Sequence, residues 1–311
     1  MLVAAGQRAR PRHDSLRSNT AAIQGVKDVY SKPSAPRSIG GVLDDGFRLG
    51  RAAFAKTWPL AFAAQILVAL PIVLFKVQNG AAALGAMQSN MMALQSPGYS
   101  LLYLVLALVS AGFQNAITAQ NASAAESAER TMSESLSIGF RLLPRALLLG
   151  LLLVLGFLLI GVCFMIPGIF LGRAGRVLLV VLFLVPVCFY LGRVFLANVI
   201  FVVEDLGAYA SLQRSWQLTK DNFWRTAAIL TVSLIILIVV LLVIGFLSGI
   251  VAVTLGAKGA MSLTVVQLIS AAGNTLFIPF VSAVLLSIYY DLKLRKEGTD
   301  LAGRVDSVAT R

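Results

Sequence analysis

The residues of this chain that could do chemistry are few and scattered. His13 is the only histidine, and it stands in a polar stretch with nothing beside it to orient an imidazole. Cys163 and Cys188 lie inside apolar runs and lack the CxxC or histidine neighbours of a metal site, so they read as small hydrophobic residues. Phosphodiester hydrolysis asks for carboxylates and histidine around a metal, and Ser/His/Asp chemistry fails for the same want of histidine. Glu204 with Asp205 reads as a helix start. The sequence therefore implies no catalytic residue, no metal ligand and no cofactor.

What remains is polar rather than reactive. Arg193 sits inside an apolar run, and Glu204 lies eleven residues further on, roughly 16 Å along a helix. Ionisable groups within a membrane are candidates for function. With Gln65, Gln114, Asn115, Asn198 and Asn274, Arg193 could line a polar path for an anion or a lipid headgroup. Alternatively it is a clamp hydrogen-bonded to neighbouring helices, or it snorkels along its own span.

The elements that would position these groups are set by composition. Of 311 residues, 58% are hydrophobic and 13% charged, and the mean hydropathy is +0.84; soluble domains average roughly 45–50% apolar and about 25% charged. This is the composition of an integral membrane protein. The net charge of +12 flanks the apolar runs instead of forming a basic, aromatic-studded face, which argues for topology control and against nucleic acid.

Six apolar runs are long enough to cross a hydrocarbon core of about 30 Å: about 58–77, 99–119, 145–166, 177–203, 225–255 and 262–290. They form a membrane domain over 39–296, between a basic, disordered tail at 1–38 and a short tail at 297–311. Arg8, Arg10, Arg12 and Arg17 cluster in the first tail. Residues 78–98 read as an external loop with room for one surface helical turn. Gly245 and Gly249 have the four-residue spacing that lets two helices approach closely.

Three amphipathic segments are expected to lie in the bilayer interface. Leu43–Trp58 carries the stripe Leu43, Phe47, Phe54, Trp58, and Thr57 with Pro59 marks a fresh helix start after it. Over Asn121–Leu143 the pattern repeats: a capping box of Thr131 with Glu134 opens a helix with the stripe Met132, Leu136, Phe140, Leu143. Within Asn198–Leu230, after Glu204 and Asp205, the stripe is Tyr209, Leu212, Trp216, Phe223, with Leu218 as the misfit. Each segment precedes a pair of spans, so the chain repeats loosely three times, with any symmetry axis along the membrane normal. The fold class is an all-α polytopic bundle: six transmembrane helices with three cytoplasmic interfacial helices.

With the N-terminus inside, 21 of the 26 Lys and Arg fall on the cytoplasmic side, four outside and one, Arg193, within the membrane. All fourteen Asp and Glu fall on the cytoplasmic side. The positive-inside rule then places both termini in the cytoplasm.

Four stretches carry a family resemblance: SIGGVLDDGFRLGRAAFAKTWPL, IPGIFL, FVVEDLGAYASLQRSWQLTKDNFWR and YYDLKLRKEGTDL. Together they resemble the glycerophosphoryl diester phosphodiesterase membrane-domain family and related six-span bacterial proteins. The resemblance implies a helical protein of the bacterial inner membrane. In the namesake members a soluble catalytic domain follows the membrane domain; these 311 residues contain none, so the family name is not expected to denote an activity here. The expectation is a non-catalytic membrane scaffold that engages the lipid bilayer, anionic headgroups or another membrane protein. The competing expectation is a transporter for an anion or a lipid-like substrate.

Overall fold

A computed structural model describes residue 30 and residues 32–78, 86–254 and 260–298. The basic cluster of the N-terminal tail, His13 and residues 299–311 lie outside the described residues. The described elements are all helical: α1 (Ile39–Gln78), α2 (Ala86–Gln95), α3 (Pro97–Ala125), α4 (Met132–Arg141), α5 (Leu143–Phe170), α6 (Arg173–Val194), α7 (Ala197–Val203), α8 (Ala208–Thr219), α9 (Phe223–Thr254) and α10 (Ala260–Glu297). Among the described residues, six helices are long and apolar enough to span a membrane. The protein is an all-α, multi-pass membrane bundle.

Three helices make its centre: α1 packs antiparallel to α10 along one side and against α3 along another. Small residues permit the α1–α10 approach. A Cβ on Gly46 would stand 2.8 Å from the Val284 backbone, and one on Gly50 would stand 2.6 Å from the Phe280 ring. The Ser287 hydroxyl donates to the Val42 carbonyl at 2.8 Å across the same seam. Helix α9 flanks α10, and α5 with α6 forms a hairpin in which the Tyr190 hydroxyl donates to the Leu153 carbonyl.

Burial is concentrated at one end of the bundle. Leu286, Ile288, Tyr289, Tyr290 and Leu292 near the end of α10 pack with Leu49 of α1, Ile200 of α7, Leu218 of α8 and Ile229 of α9. The long apolar faces of α5 and α9 stay open to the surroundings. Such faces suit lipid, whose tails are as apolar as leucine.

The structure corrects the sequence reading in four places. Leu43–Trp58 is no separate surface helix; it is the first half of α1, which runs unbroken through Pro59. Thr57 reinforces the turn before that proline by donating to the carbonyls of Ala53 and Phe54. The loop expected over 78–98 contains the ten-residue helix α2. The surface segment expected over Asn121–Leu143 starts later, because α3 runs on to Ala125 and α4 begins at Met132; the span expected over 177–203 is present as Leu178–Val203, with a turn at Phe195 and Leu196 between α6 and α7. Tyr30, Pro33 and Arg37, assigned to a disordered tail, pack on the bundle: Tyr30 joins the main core, and the Arg37 backbone N–H donates to Asp291 at 2.9 Å.

The two remaining amphipathic helices bury small residues that their stripes did not include, while Leu136, Phe140 and Leu212 of the stripes also pack on the bundle. In α8 the buried residues are Ala208, Ser211, Ser215, Leu218 and Thr219, while Tyr209 points outward and the half-exposed Trp216 packs against Phe189. In α4 they are Ser135 and Gly139, and a Cβ on Gly139 would meet the Gly112 carbonyl oxygen at 2.2 Å. The capping box at Thr131 is present: Glu134 N–H donates to Thr131 Oγ1, and Thr131 N–H donates to Glu134 Oε2. Gly245 and Gly249 meet nothing within 4 Å, so their spacing makes no seam among the described residues.

Candidate functional site

The polar chemistry of the bundle gathers where the helix ends converge, around two carboxylates. Glu204 caps the end of α7. It accepts from the Tyr289 hydroxyl at 2.6 Å, from Lys293 Nζ at 3.0 Å and from Arg214 Nε at 3.3 Å; Arg214 also pairs with Glu297. Partial burial pushes the Glu204 carboxyl up, but the hydrogen bonds from Tyr289 and Lys293 and the charges of Lys293 and Arg214 outweigh it, so it sits below the ordinary glutamate range. Asp291 is 2% exposed. It accepts from the Arg37 N–H and, at 3.0 Å each, from Arg225 and Arg295. Both arginines also donate to the Arg37 carbonyl, closing the network over the chain's entry into α1.

Arg193 has no such partner. It lies in the last turn of α6, is 8% exposed, and makes no ion pair among the described residues. Its Nε and Nη1 are buried without a hydrogen-bond partner. The guanidinium carbon instead lies 5.0 Å from the Phe189 ring centre, 5.4 Å from Trp216 and 5.1 Å from Phe223. Each such contact is worth about 0.5–2 kcal/mol, against several kcal/mol for desolvating a cation. The three rings therefore offset only part of the cost. What fixes the residue is local: the Ser215 hydroxyl of α8 donates to the Arg193 carbonyl at 2.7 Å.

Beside Arg193 a groove of about 1020 Å³ opens between α6 and the link from α8 into α9. Its inner rim holds Arg193, Lys220, Asp221, Asn222 and Arg225, and its wall is Leu184, Val185 and Cys188 of α6 with Trp224 of α9. Asp221 is turned toward Lys296, and that hydrogen bond with the Lys296 charge holds its carboxyl below the ordinary range. Chemically the groove joins cations to an apolar flank. Among the described residues no group of three or more His, Cys, Asp or Glu is placed to hold a metal.

The six polar residues singled out from sequence do not meet in one place. Gln114, Asn198 and Asn274 line a separate cavity of about 230 Å³, together with Thr118 and Ser282, whose hydroxyls lie 3.2 Å apart. Arg193 belongs to the groove described above. Asn115 is buried in α3 with its amide nitrogen unpartnered, and Gln65 is half-buried on α1, lining neither space. Sequence reasoning missed Lys220, Arg225, Tyr289, Asp291 and Lys293. The signal for the last three was the i,i+4 pairing of Tyr289 with Lys293 and of Asp291 with Arg295 at the end of an apolar run.

Residues 137–292 match the model of a family described as a domain of unknown function, DUF7847. No curated protein and no solved structure matches the chain.

Proposed function

We propose that the chain, which belongs to the DUF7847 family of domains of unknown function, is a non-catalytic membrane scaffold: a bundle that presents a rigid, basic surface to lipid or to another membrane protein. The observation that carries this reading is the commitment of the charged end to structure. Glu204 and Asp291 are each held by three donors, and every donor comes from a different turn or helix than the acceptor. A carboxylate so engaged is a fastener, poorly placed to move protons. The exposed Tyr209, Trp216 and Trp224 suit the headgroup region, where amphipathic rings collect.

We place this charged end at the cytoplasmic face of a bacterial inner membrane, with both termini inside, as the Lys and Arg bias and the resemblance to phosphodiesterase membrane domains suggest. Extraction in native lipid particles, followed by mass spectrometry, tests the scaffold. A reproducible lipid or protein companion is expected, and its absence across preparations would sink the proposal. Labelling of single cysteines with an impermeant maleimide tests the orientation: a cysteine at Ser133 or Gln213 should react only in inverted vesicles.

A second reading, a transporter for an anion or lipid-like substrate, is favoured by one observation, the cavity shared by Gln114, Asn198 and Asn274. Under that reading Asn198→Ala and Asn274→Ala abolish flux in proteoliposomes; under the scaffold reading there is no flux to lose.

A further inference from the structure

The geometry of the α6–α9 groove points to a ligand class, and the argument rests on the scaffold reading above. Arg193 is a buried guanidinium with two nitrogens that no described group accepts from. Lys220, also on the rim, is exposed and makes no ion pair among the described residues. Arg225 spends one terminal nitrogen on Asp291 and Arg37, while its Nε is buried and unpartnered. The one acid on the rim, Asp221, is engaged by Lys296. Arg193 and Lys220 thus line, without a counter-charge among the described residues, a space whose one acid is drawn elsewhere, and what would satisfy them is a compact, multivalent oxygen acceptor. Phosphate fits, because guanidinium binds it through paired hydrogen bonds and ammonium as a point charge.

The wall of the groove says where that phosphate comes from. Leu184 and Val185, strongly exposed, sit on the spanning helix α6, and Trp224, 83% exposed, opens α9. A soluble anion would leave this flank empty. A glycerophospholipid would lay an acyl chain along α6 while its phosphate meets the rim. We propose that the groove is a binding site for the phosphate of an anionic membrane glycerophospholipid, with Arg193 and Lys220 as its ligands and α6 as the chain's track.

Trp216 and Trp224 flank the site, so lipids with brominated chains report its occupancy by quenching their fluorescence. The experiment uses the full chain in nanodiscs, in a Trp58→Phe background that removes the third tryptophan. Brominated phosphatidylglycerol should reach half-quenching at a mole fraction at least fivefold lower than brominated phosphatidylcholine. Arg193→Gln should abolish that preference and Lys220→Gln should reduce it at least twofold. Should Arg193→Gln fail to fold, Lys220→Gln, an exposed position, decides alone. Equal quenching by the two lipids, or a preference unchanged in the variants, overturns the assignment. Competition by inorganic phosphate or glycerol 3-phosphate at the lipid's own concentration also overturns it, because the ligand would then be a soluble phosphate. The two levels separate by native mass spectrometry: if the preference is absent but companions persist, the groove assignment fails and the scaffold stands.

Discussion

The Tyr289 hydroxyl donates to Glu204 Oε1 at 2.6 Å, fastening the end of the last span to the residue that caps α7. Lys293, one turn beyond Tyr289, donates to both. This joint ties α10 to the end of α7, just ahead of the link into α8.

Acid should loosen that joint. The Glu204 carboxyl is held below its ordinary range in the folded protein, so its contribution is complete above the unfolded value of about 4.5 and is lost as pH falls through the lower folded value. The unfolding midpoint of the protein in detergent should be level from about pH 7 to about pH 5 and drop below the glutamate range. Asp221 and Glu134 are shifted in the same direction, so Glu204→Gln should flatten part of the drop. An identical acid slope in the variant would show that Glu204 does not carry it.

Asp291 is the costlier acid to lose. Asp291→Ala leaves Arg225, Arg295 and the Arg37 N–H facing one another without a counter-charge. Breaking a buried pair by removing one partner costs about 3–5 kcal/mol. The exposed Asp44–Arg48 pair is the contrast: Asp44→Ala should change stability by no more than about 0.5 kcal/mol. Denaturant or thermal unfolding of both variants measures the difference, and equal losses would mean that burial does not distinguish them.

The α1–α10 seam makes a prediction about glycine. Gly46→Ala sets a methyl group 2.8 Å from the Val284 backbone, which cannot rotate away, and overpacking of this kind costs about 1–3 kcal/mol. Gly245→Ala meets open space and should be neutral or stabilising by up to about 1 kcal/mol through helix propensity. Thermal midpoints that move in the reverse order would refute the seam.

These seams explain what the sequence could and could not disclose. Span number was legible because an apolar run long enough to cross a bilayer has few other uses, and the capping box because it is a local pattern. The docking faces were not, since a hydrophobic stripe marks the buried side of a helix only where water is the alternative. At a membrane surface aromatic residues can face lipid, and the side that meets protein is the one with the least bulk. Gly46 and Gly50, Ser135 and Gly139, and Ser211, Ser215 and Thr219 all repeat at four-residue spacing, and each set is at a helix contact. The same spacing at Gly245 and Gly249 makes none, so the pattern needs a partner surface that sequence alone did not supply. Arg193 was visible as an anomaly, but its ring cage draws on Phe189, Trp216 and Phe223 from three helices, a meeting that only the fold produces.

The docking face of α8 can be tested directly. Ser215 is fully buried, and its hydroxyl donates to the Arg193 carbonyl in the last turn of α6. Ser215→Leu removes that hydrogen bond and inserts three further carbons where the helices touch, so a loss of about 2–4 kcal/mol is expected from the two effects together. Tyr209, on the aromatic stripe and 73% exposed, should tolerate Tyr209→Ala within about 0.5 kcal/mol. If the aromatic stripe were the docking face, the two results would exchange places: Ser215→Leu would be absorbed by lipid, and Tyr209→Ala would open a hole in the bundle. Unfolding of the two variants in the same detergent therefore decides which side of α8 the protein holds.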